Sequence, residues 1–109
     1  MALPKLENPS SAGVAIKVYE CPTTTPTKTR AVVSVNVAAT SKTTVKLHLV
    51  PPGGSAGNAN LIEPGQALAP DTVPLERTGI ALTEGWSIWA SSSVASAANV
   101  HVWGIEGAA

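Results

Sequence analysis

The chain has 109 residues and a formal net charge of zero at neutral pH, with seven basic and seven acidic residues. This length fits one domain with a modest core, and the balanced charge excludes the basic field that nucleic-acid binding requires. Charged residues make up 13% of the chain, against roughly 25% in typical soluble domains, which favours a surface that packs against other protein copies.

The N-terminal segment, residues 1–13, contains two prolines and small polar residues and has no hydrophobic period. This composition predicts an extended arm, mobile in the free protein and ordered when the arm meets a partner. The segment MALPKLENPSSAG lacks the apolar centre of a signal peptide. No apolar run in the chain approaches the ~20 residues needed to cross a bilayer, so we expect neither secretion by that route nor a membrane partner.

Strands are predicted where apolar and polar residues alternate, because successive side chains of a strand point to opposite faces. Residues 14–20 form the first strand, with Val14, Ile16 and Val18 on one face and Tyr19 on the other. A loop rich in proline and threonine follows. Residues 31–39 give the clearest strand, and the pattern predicts that the short turn 40–42 pairs it with a strand over 43–50.

Proline and glycine punctuate the second half of the chain, where the strands are shorter. Its predicted elements are a surface loop over 51–60, a short strand over 61–63, an edge strand or irregular crossover over 66–76, a short strand over 78–82, and a final antiparallel pair over 86–92 and 99–106.

About seven short strands at this spacing predict an all-β, single-domain β-sandwich of jelly-roll or Ig-like type over residues 14–109, with 1–13 as the arm. The inward faces of the strands are predicted to carry Val33, Val35, Val37, Val45, Leu47, Leu49, Trp86, Ile88, Val100 and Val102.

Residue types that perform chemistry are sparse. The two histidines, His48 and His101, combine with Glu106 into a zinc site on one interpretation and are exposed strand residues on the other. The single cysteine, Cys21, excludes an intrachain disulfide and a multi-cysteine metal site. An interchain disulfide, a reactive thiol and a small buried side chain remain its alternatives. No nucleophile elbow or phosphate-binding loop is present, so we expect no enzyme, cofactor or metal.

Tryptophan gives the strongest indication of a functional surface. If the last two strands pair, Trp89 and Trp103 share one outward face with Ile105. Three interpretations of this face are open: it is covered by the chain's own loops, it forms a protein interface, or it binds carbohydrate. We predict a protein interface of these three residues with Leu3 and Pro4 of the arm, buried in a symmetric homo-oligomer, preferably a trimer.

Three segments carry a resemblance to a known group of proteins. They are VPPGGSAGNAN at 50–60, LERTGIALTEGWSIWAS at 75–91 and VHVWGIE at 100–106, and they follow a valine-rich strand and a polar turn. The run from residue 31 to 107, about two-thirds of the chain, resembles small all-β structural proteins of tailed-bacteriophage virions. The Cys-Asn pair that usually precedes the turn is absent, because Val35 precedes Asn36.

The resemblance implies a location in the virion, which is assembled in the host cytoplasm, and a role in the head, neck or tail. The leading expectation is a capsid decoration (cement) protein that binds the major capsid protein, or another virion protein, at capsomer junctions. A tail, collar or baseplate component is the alternative within this class. A carbohydrate-binding module that uses Trp89 and Trp103 is the alternative from another class.

Overall fold

Eight strands form in the computed structural model, which describes residues 4–23 and 29–108. They are β1 (Lys5–Glu7), β2 (Ile16–Glu20), β3 (Thr29–Ala39), β4 (Thr43–Val50), β5 (Leu61–Leu68), β6 (Leu75–Thr83), β7 (Ser87–Ser92) and β8 (Ala98–Ala108). A 3-10 turn, Asn58–Asn60, precedes β5. The described residues include no helix with the length and apolar character to cross a membrane.

The strands form two antiparallel sheets of four. Sheet A has the order β1-β8-β3-β6, and sheet B has the order β2-β7-β4-β5. The all-β prediction is confirmed, and this arrangement is compatible with a β-sandwich. Each sheet turns one face toward a common core, so the opposite face of each sheet is an outer surface of the molecule.

Valine is the most frequent residue of the core, and its branched side chain suits a half-buried pleated surface. The predicted inward positions are confirmed: Leu49 and Trp86 are partly buried against the core, and the other eight are buried. Additional core residues come from positions outside the predicted set, among them Val18, Tyr19, Ala31, Leu68, Leu82 and Ala90.

Two predicted strand pairings are wrong. The short segment 40–42 does not close a hairpin, because β3 lies in sheet A and β4 lies in sheet B. The final two strands do not pair either: β7 lies between β2 and β4, whereas β8 lies between β1 and β3. Alternation identifies the buried face of a strand, but both sheets bury that face in the same core. The pattern is therefore the same whether a strand pairs with its sequence neighbour or crosses to the other sheet.

Strand β2 departs from strict alternation. Its register against β7 shifts between Lys17 and Tyr19, as in a β-bulge. The shift places Val18 and Tyr19 both in the core. The prediction that Tyr19 lies on the face opposite to Val14 and Val18 is wrong for this reason, and Val14 itself is exposed.

The predicted arm is in part a strand of sheet A. Strand β1 pairs with β8, with Lys5 opposite Val102. Beyond it, the Asn8 side chain donates a 2.8 Å hydrogen bond to Asn99 Oδ1, and the Pro9 carbonyl accepts one of 2.9 Å from the Ser96 amide. This part of the arm therefore lies against the domain with its backbone groups paired, and its mobility in the free protein stays a prediction.

Candidate functional site

The outer face of sheet A carries a contiguous group of exposed apolar side chains. Leu6 of β1, Val32 of β3, and Trp103 and Ile105 of β8 have exposed fractions between 41% and 74%. We call these four residues the sheet A patch. A group of exposed apolar side chains on three neighbouring strands is a candidate surface for contact with another molecule.

The strand register brings the sheet A patch together. Val32 lies directly opposite Ile105, and Ser34 lies opposite Trp103. Directly opposed residues on one face have Cβ atoms about 4.5–5.5 Å apart. Leu6 lies opposite His101, two positions from Trp103 along β8. The four apolar side chains thus form a diagonal band across β1, β8 and β3.

Gly104 sets the position of this band. A Cβ atom on Gly104 would lie 2.1 Å from the carbonyl oxygen of Val32 and 2.7 Å from the Cα atom of Val33. The backbones of β3 and β8 therefore approach each other at a point where no side chain fits. Trp103 and Ile105 flank this contact, and both side chains are exposed on the outer face of sheet A.

The structure divides the predicted interface residues among different places. Trp103 and Ile105 share the outer face of sheet A, as predicted, and Pro4 is exposed just before β1. Trp89 lies on the outer face of sheet B, opposite His48, so the expectation that it shares a surface with Trp103 is wrong. The physical reason is that β7 and β8 belong to different sheets. Leu3 lies outside the described residues.

Sequence reasoning missed two members of the sheet A patch. Val32 lies in phase with the outward polar residues Ser34 and Asn36. The alternation along β3 therefore could have predicted that Val32 is exposed. Leu6 had no such signal, because β1 is too short to show a period.

Trp89 is not an open stacking platform. Its indole Nε1 donates a 2.8 Å hydrogen bond to Ser87 Oγ, and Lys17 Nζ lies 5.8 Å from the ring centroid. Lys17 also forms a 2.7 Å ion pair with Glu20 Oε1. The half-buried indole is thus partly covered by a cationic side chain of the neighbouring strand.

His48 lies on the outer face of sheet B and is only 6% exposed, because the segment 51–60 folds over it. The prediction that it is an exposed strand residue is wrong for this reason. Its Nδ1 lies 2.9 Å from Asn60 Oδ1 and 3.0 Å from the Gly57 carbonyl oxygen. Asn60 Nδ2 donates to the Ser55 carbonyl, which fixes the orientation of the amide. Two acceptor oxygens therefore face Nδ1, so we assign the proton of the neutral imidazole to Nδ1.

The three residues of the zinc interpretation do not meet. His101 is exposed on sheet A, and His48 lies on the outer face of sheet B. Glu106 lies on β8, opposite the buried Ala31 of β3. Within residues 4–23 and 29–108, no three side chains of His, Cys, Asp or Glu are grouped so that they could hold a metal ion.

A polar contact crosses the core between the two sheets. The Tyr19 hydroxyl donates a hydrogen bond to Glu106 Oε2. Burial, together with the hydrogen bond and the charge of Glu106, raises the pKa of Tyr19 far above its usual value. Burial also raises the pKa of the Cys21 thiol, and the charges of Glu106 and Glu84 act in the same direction. Both groups are therefore held in their protonated forms, which is the opposite of an activated nucleophile.

A second contact links the sheets at their other edge. Arg77 of β6 donates to the carbonyl oxygen of Ile62 on β5, and it lies 3.2 Å from Glu63 Oε2. The guanidinium thus connects the edge strand of sheet A to the edge strand of sheet B.

The outer face of sheet B also carries a groove of about 330 Å³, lined by both polar and apolar groups. Thr44, Lys46 and His48 of β4 and Ser91 of β7 form its floor, and Asn58 stands on one wall. We call this feature the sheet B groove. Comparison of the chain with protein-family models, with curated proteins and with solved structures finds no match.

Proposed function

We propose that the protein is a structural component of a tailed-bacteriophage virion, and that it acts as a capsid decoration protein that binds capsomer junctions. The observation that carries the proposal is the sheet A patch. Its four apolar side chains on β1, β3 and β8 are solvated in the single chain, and their burial against a shell protein would remove them from water.

The strand order supports a jelly-roll as the fold type. Strand β1 pairs with β8, β2 with β7, β3 with β6 and β4 with β5. This nested pattern is that of one long antiparallel ribbon, rolled so that its strands alternate between two sheets. In the Ig-like order the first two strands are neighbours in one sheet, whereas here β1 and β2 lie in different sheets. Jelly-rolls are a recurrent architecture of viral capsid domains.

The composition of the chain also supports a role in assembly. The chain is poor in charge, and the sheet A patch contains only apolar side chains. A protein that binds only the assembled shell stabilises that shell by mass action, without any chemical step. We propose that it does so as a closed homo-oligomer, preferably a trimer, because three-fold junctions of a capsid offer that symmetry.

The copy number in purified virions tests this function. We expect quantitative mass spectrometry to find this chain at a copy number comparable with that of the major capsid protein. A copy number close to that of neck or tail proteins would assign the chain to the tail, collar or baseplate and overturn the decoration role. Absence from the particle would overturn the virion proposal as a whole.

A further inference from the structure

The sheet B groove is lined by several polar side chains that have no hydrogen-bond or ion-pair partner among the described residues. Thr44, Lys46 and His48 alternate along β4, so their side chains follow one another at about 6.5–7 Å intervals. Ser91 lies opposite Lys46 on β7, and Asn58 faces this row from the 3-10 turn. Among the described residues, the side chains of Thr44, Lys46, Asn58 and Ser91 make no hydrogen bond or ion pair.

Two of these groups are almost completely enclosed. Ser91 is 7% exposed, and its hydroxyl has no hydrogen-bond partner within the described part of the chain. His48 is 6% exposed, and its Nδ1 is committed to Asn60 and Gly57, which leaves Nε2 as a hydrogen-bond acceptor. No described side-chain nitrogen or oxygen is both sealed from solvent and unpaired. Ser91 Oγ and His48 Nε2 therefore open into the groove that these residues line.

The imidazole is held rigidly in this position. Asn60 Oδ1 accepts from His48 Nδ1 and from the Gly57 amide, while Asn60 Nδ2 donates to the Ser55 carbonyl. The loop 51–60 thus fixes both the ring and its tautomer before any ligand binds. Such preorganisation lowers the cost of ordering a binding site.

The charge of the sheet B groove has one sign. Lys46 is its cationic residue, and none of the described residues that line it is acidic. The ion pairs of the described residues join Lys5 to Glu7, Lys17 to Glu20 and Arg77 to Glu63. The Lys46 ammonium therefore lacks an internal counter-ion, and the groove favours an anion.

We infer that the sheet B groove is a binding site for an acidic saccharide. The Lys46 ammonium would pair with a sugar carboxylate, and Thr44, Ser91, Asn58 and His48 Nε2 would exchange hydrogen bonds with sugar hydroxyls. His48 Nε2 acts as an acceptor, which a hydroxyl satisfies and a fully ionised phosphate does not. This mixture of one cation, three hydroxyl or amide groups and one acceptor thus fits an anion that also carries hydroxyl donors.

The inference stands apart from the proposed attachment to the shell. The sheet A patch and the sheet B groove lie on opposite outer faces, so a chain bound to a particle through sheet A keeps the groove turned away from that particle. One protein can therefore fill both roles, and each role has its own test.

Amide chemical shifts of the isotope-labelled protein test the groove directly. The probes are a galacturonic acid trisaccharide, sialyllactose, the neutral galactose trisaccharide and inorganic phosphate. We expect at least one acidic sugar to shift the amides of residues 44–48 and 91. We also expect the neutral trisaccharide and phosphate to bind at least about tenfold more weakly, since the first lacks the charge and the second lacks the hydroxyl groups.

Three variants separate the groove from a general charge effect. Lys46→Gln should weaken binding of the acidic sugar at least about tenfold, and Ser91→Ala should weaken its binding about three- to tenfold. Lys42→Gln removes the same charge from an exposed site outside the groove and should change affinity less than about twofold. Circular dichroism confirms that each variant is folded.

Each other outcome overturns the inference. The absence of shifts with both acidic sugars, or phosphate binding as tight as theirs, would exclude a saccharide site. Equal loss of affinity in the Lys42 and Lys46 variants would show that binding is a general charge effect. Reduced particle occupancy in Lys46→Gln, without saccharide binding by the parent, would assign the groove to a virion partner.

Discussion

The hydroxyl of Tyr19 on β2 donates a hydrogen bond to Glu106 on β8 and so joins the two sheets across the core. Tyr19 is fully buried, and Glu106 is partly buried. A charged acceptor at such a position keeps its charge at low cost only while a donor faces it.

Loss of this donor should destabilise the protein. Tyr19→Phe keeps the ring but leaves the Glu106 carboxylate without the hydroxyl, so we expect a loss of about 1–3 kcal/mol in the free energy of unfolding. Urea denaturation measures this loss. The double variant Tyr19→Phe, Glu106→Gln should recover part of the stability, because it also removes the partly buried charge. No difference between Tyr19→Phe and the parent would show that the contact does not stabilise the fold.

Alkaline pH should weaken the fold through the same residue. An unfolded tyrosine ionises near pH 10, whereas burial, and secondarily Glu106, raise the pKa of Tyr19 in the folded chain. The folded state then keeps a proton that the unfolded state releases, so the contribution to stability is complete below about pH 10 and is lost as the pH rises further.

Tyr19 is the single tyrosine of the chain, so phenolate absorbance measures it alone. We expect ionisation to coincide with alkaline unfolding, and we expect stability to fall less steeply above pH 10 in Tyr19→Phe. Ionisation of the folded protein near pH 10 would contradict the burial of the hydroxyl.

Gly104 should tolerate no side chain. Gly104→Ala would force a Cβ against the Val32 carbonyl and the Val33 backbone, at a residue whose φ is +155°. We expect a cost on the order of 3 kcal/mol or more, from backbone strain and separation of β3 from β8. Gly107→Ala on the same strand is the matched control, because a Cβ there meets open space. It should stay within about 0.5 kcal/mol of the parent in chemical denaturation.

Leu47 tests the phase of the strands. It is fully buried on β4, so Leu47→Ala should cost about 2–5 kcal/mol through lost burial and the cavity left behind. Leu6→Ala, in the sheet A patch, removes the same atoms from an exposed site and should change stability by less than about 0.5 kcal/mol. Equal effects of the two substitutions on the urea midpoint would show that this burial pattern is wrong.

The sheet A patch should decide attachment to the particle. Ile105→Asp places a charge at its most exposed member, and we expect occupancy on purified particles to fall at least about tenfold, since a buried unpaired charge costs several kcal/mol. Val73→Asp is the control, because Val73 is exposed but lies between β5 and β6, outside the patch. Full occupancy of purified particles by the Ile105→Asp variant would show that the sheet A patch is not part of the interface.

Sedimentation tests the oligomer. We expect the isolated protein at micromolar concentration to sediment as three chains of 11.0 kDa each. A monomer both in solution and on the particle would refute the proposed trimer.

Local features of the fold could be predicted from the sequence, but long-range ones could not. The bounds of β4 and the burial of Val33, Val35 and Val37 follow from alternation, which depends only on neighbouring residues. The pairing of β8 with β1 and β3 depends on residues far apart in the chain, and no local pattern encodes it.

The candidate sites were predictable to the same extent. The outward orientation of Trp103 and Ile105 follows from the phase of β8. The burial of His48 depends on the fold of the loop 51–60 over sheet B, and the burial of Tyr19 depends on the bulge in β2. The bulge interrupts the alternation of β2, whereas the loop covers a face of β4 that alternation alone predicts to be exposed. The pattern therefore predicted the wrong environment for both residues.

The position of β8 between β1 and β3 also sets the order of events during synthesis. Sheet A stays incomplete until residues 98–108 have left the ribosome, and contacts so distant in sequence form slowly. Trp103 and Ile105 of the sheet A patch arrive with this strand, so the patch comes into existence only as the domain completes its folding. A nascent chain therefore lacks this group of exposed apolar side chains until its last strand has been synthesised.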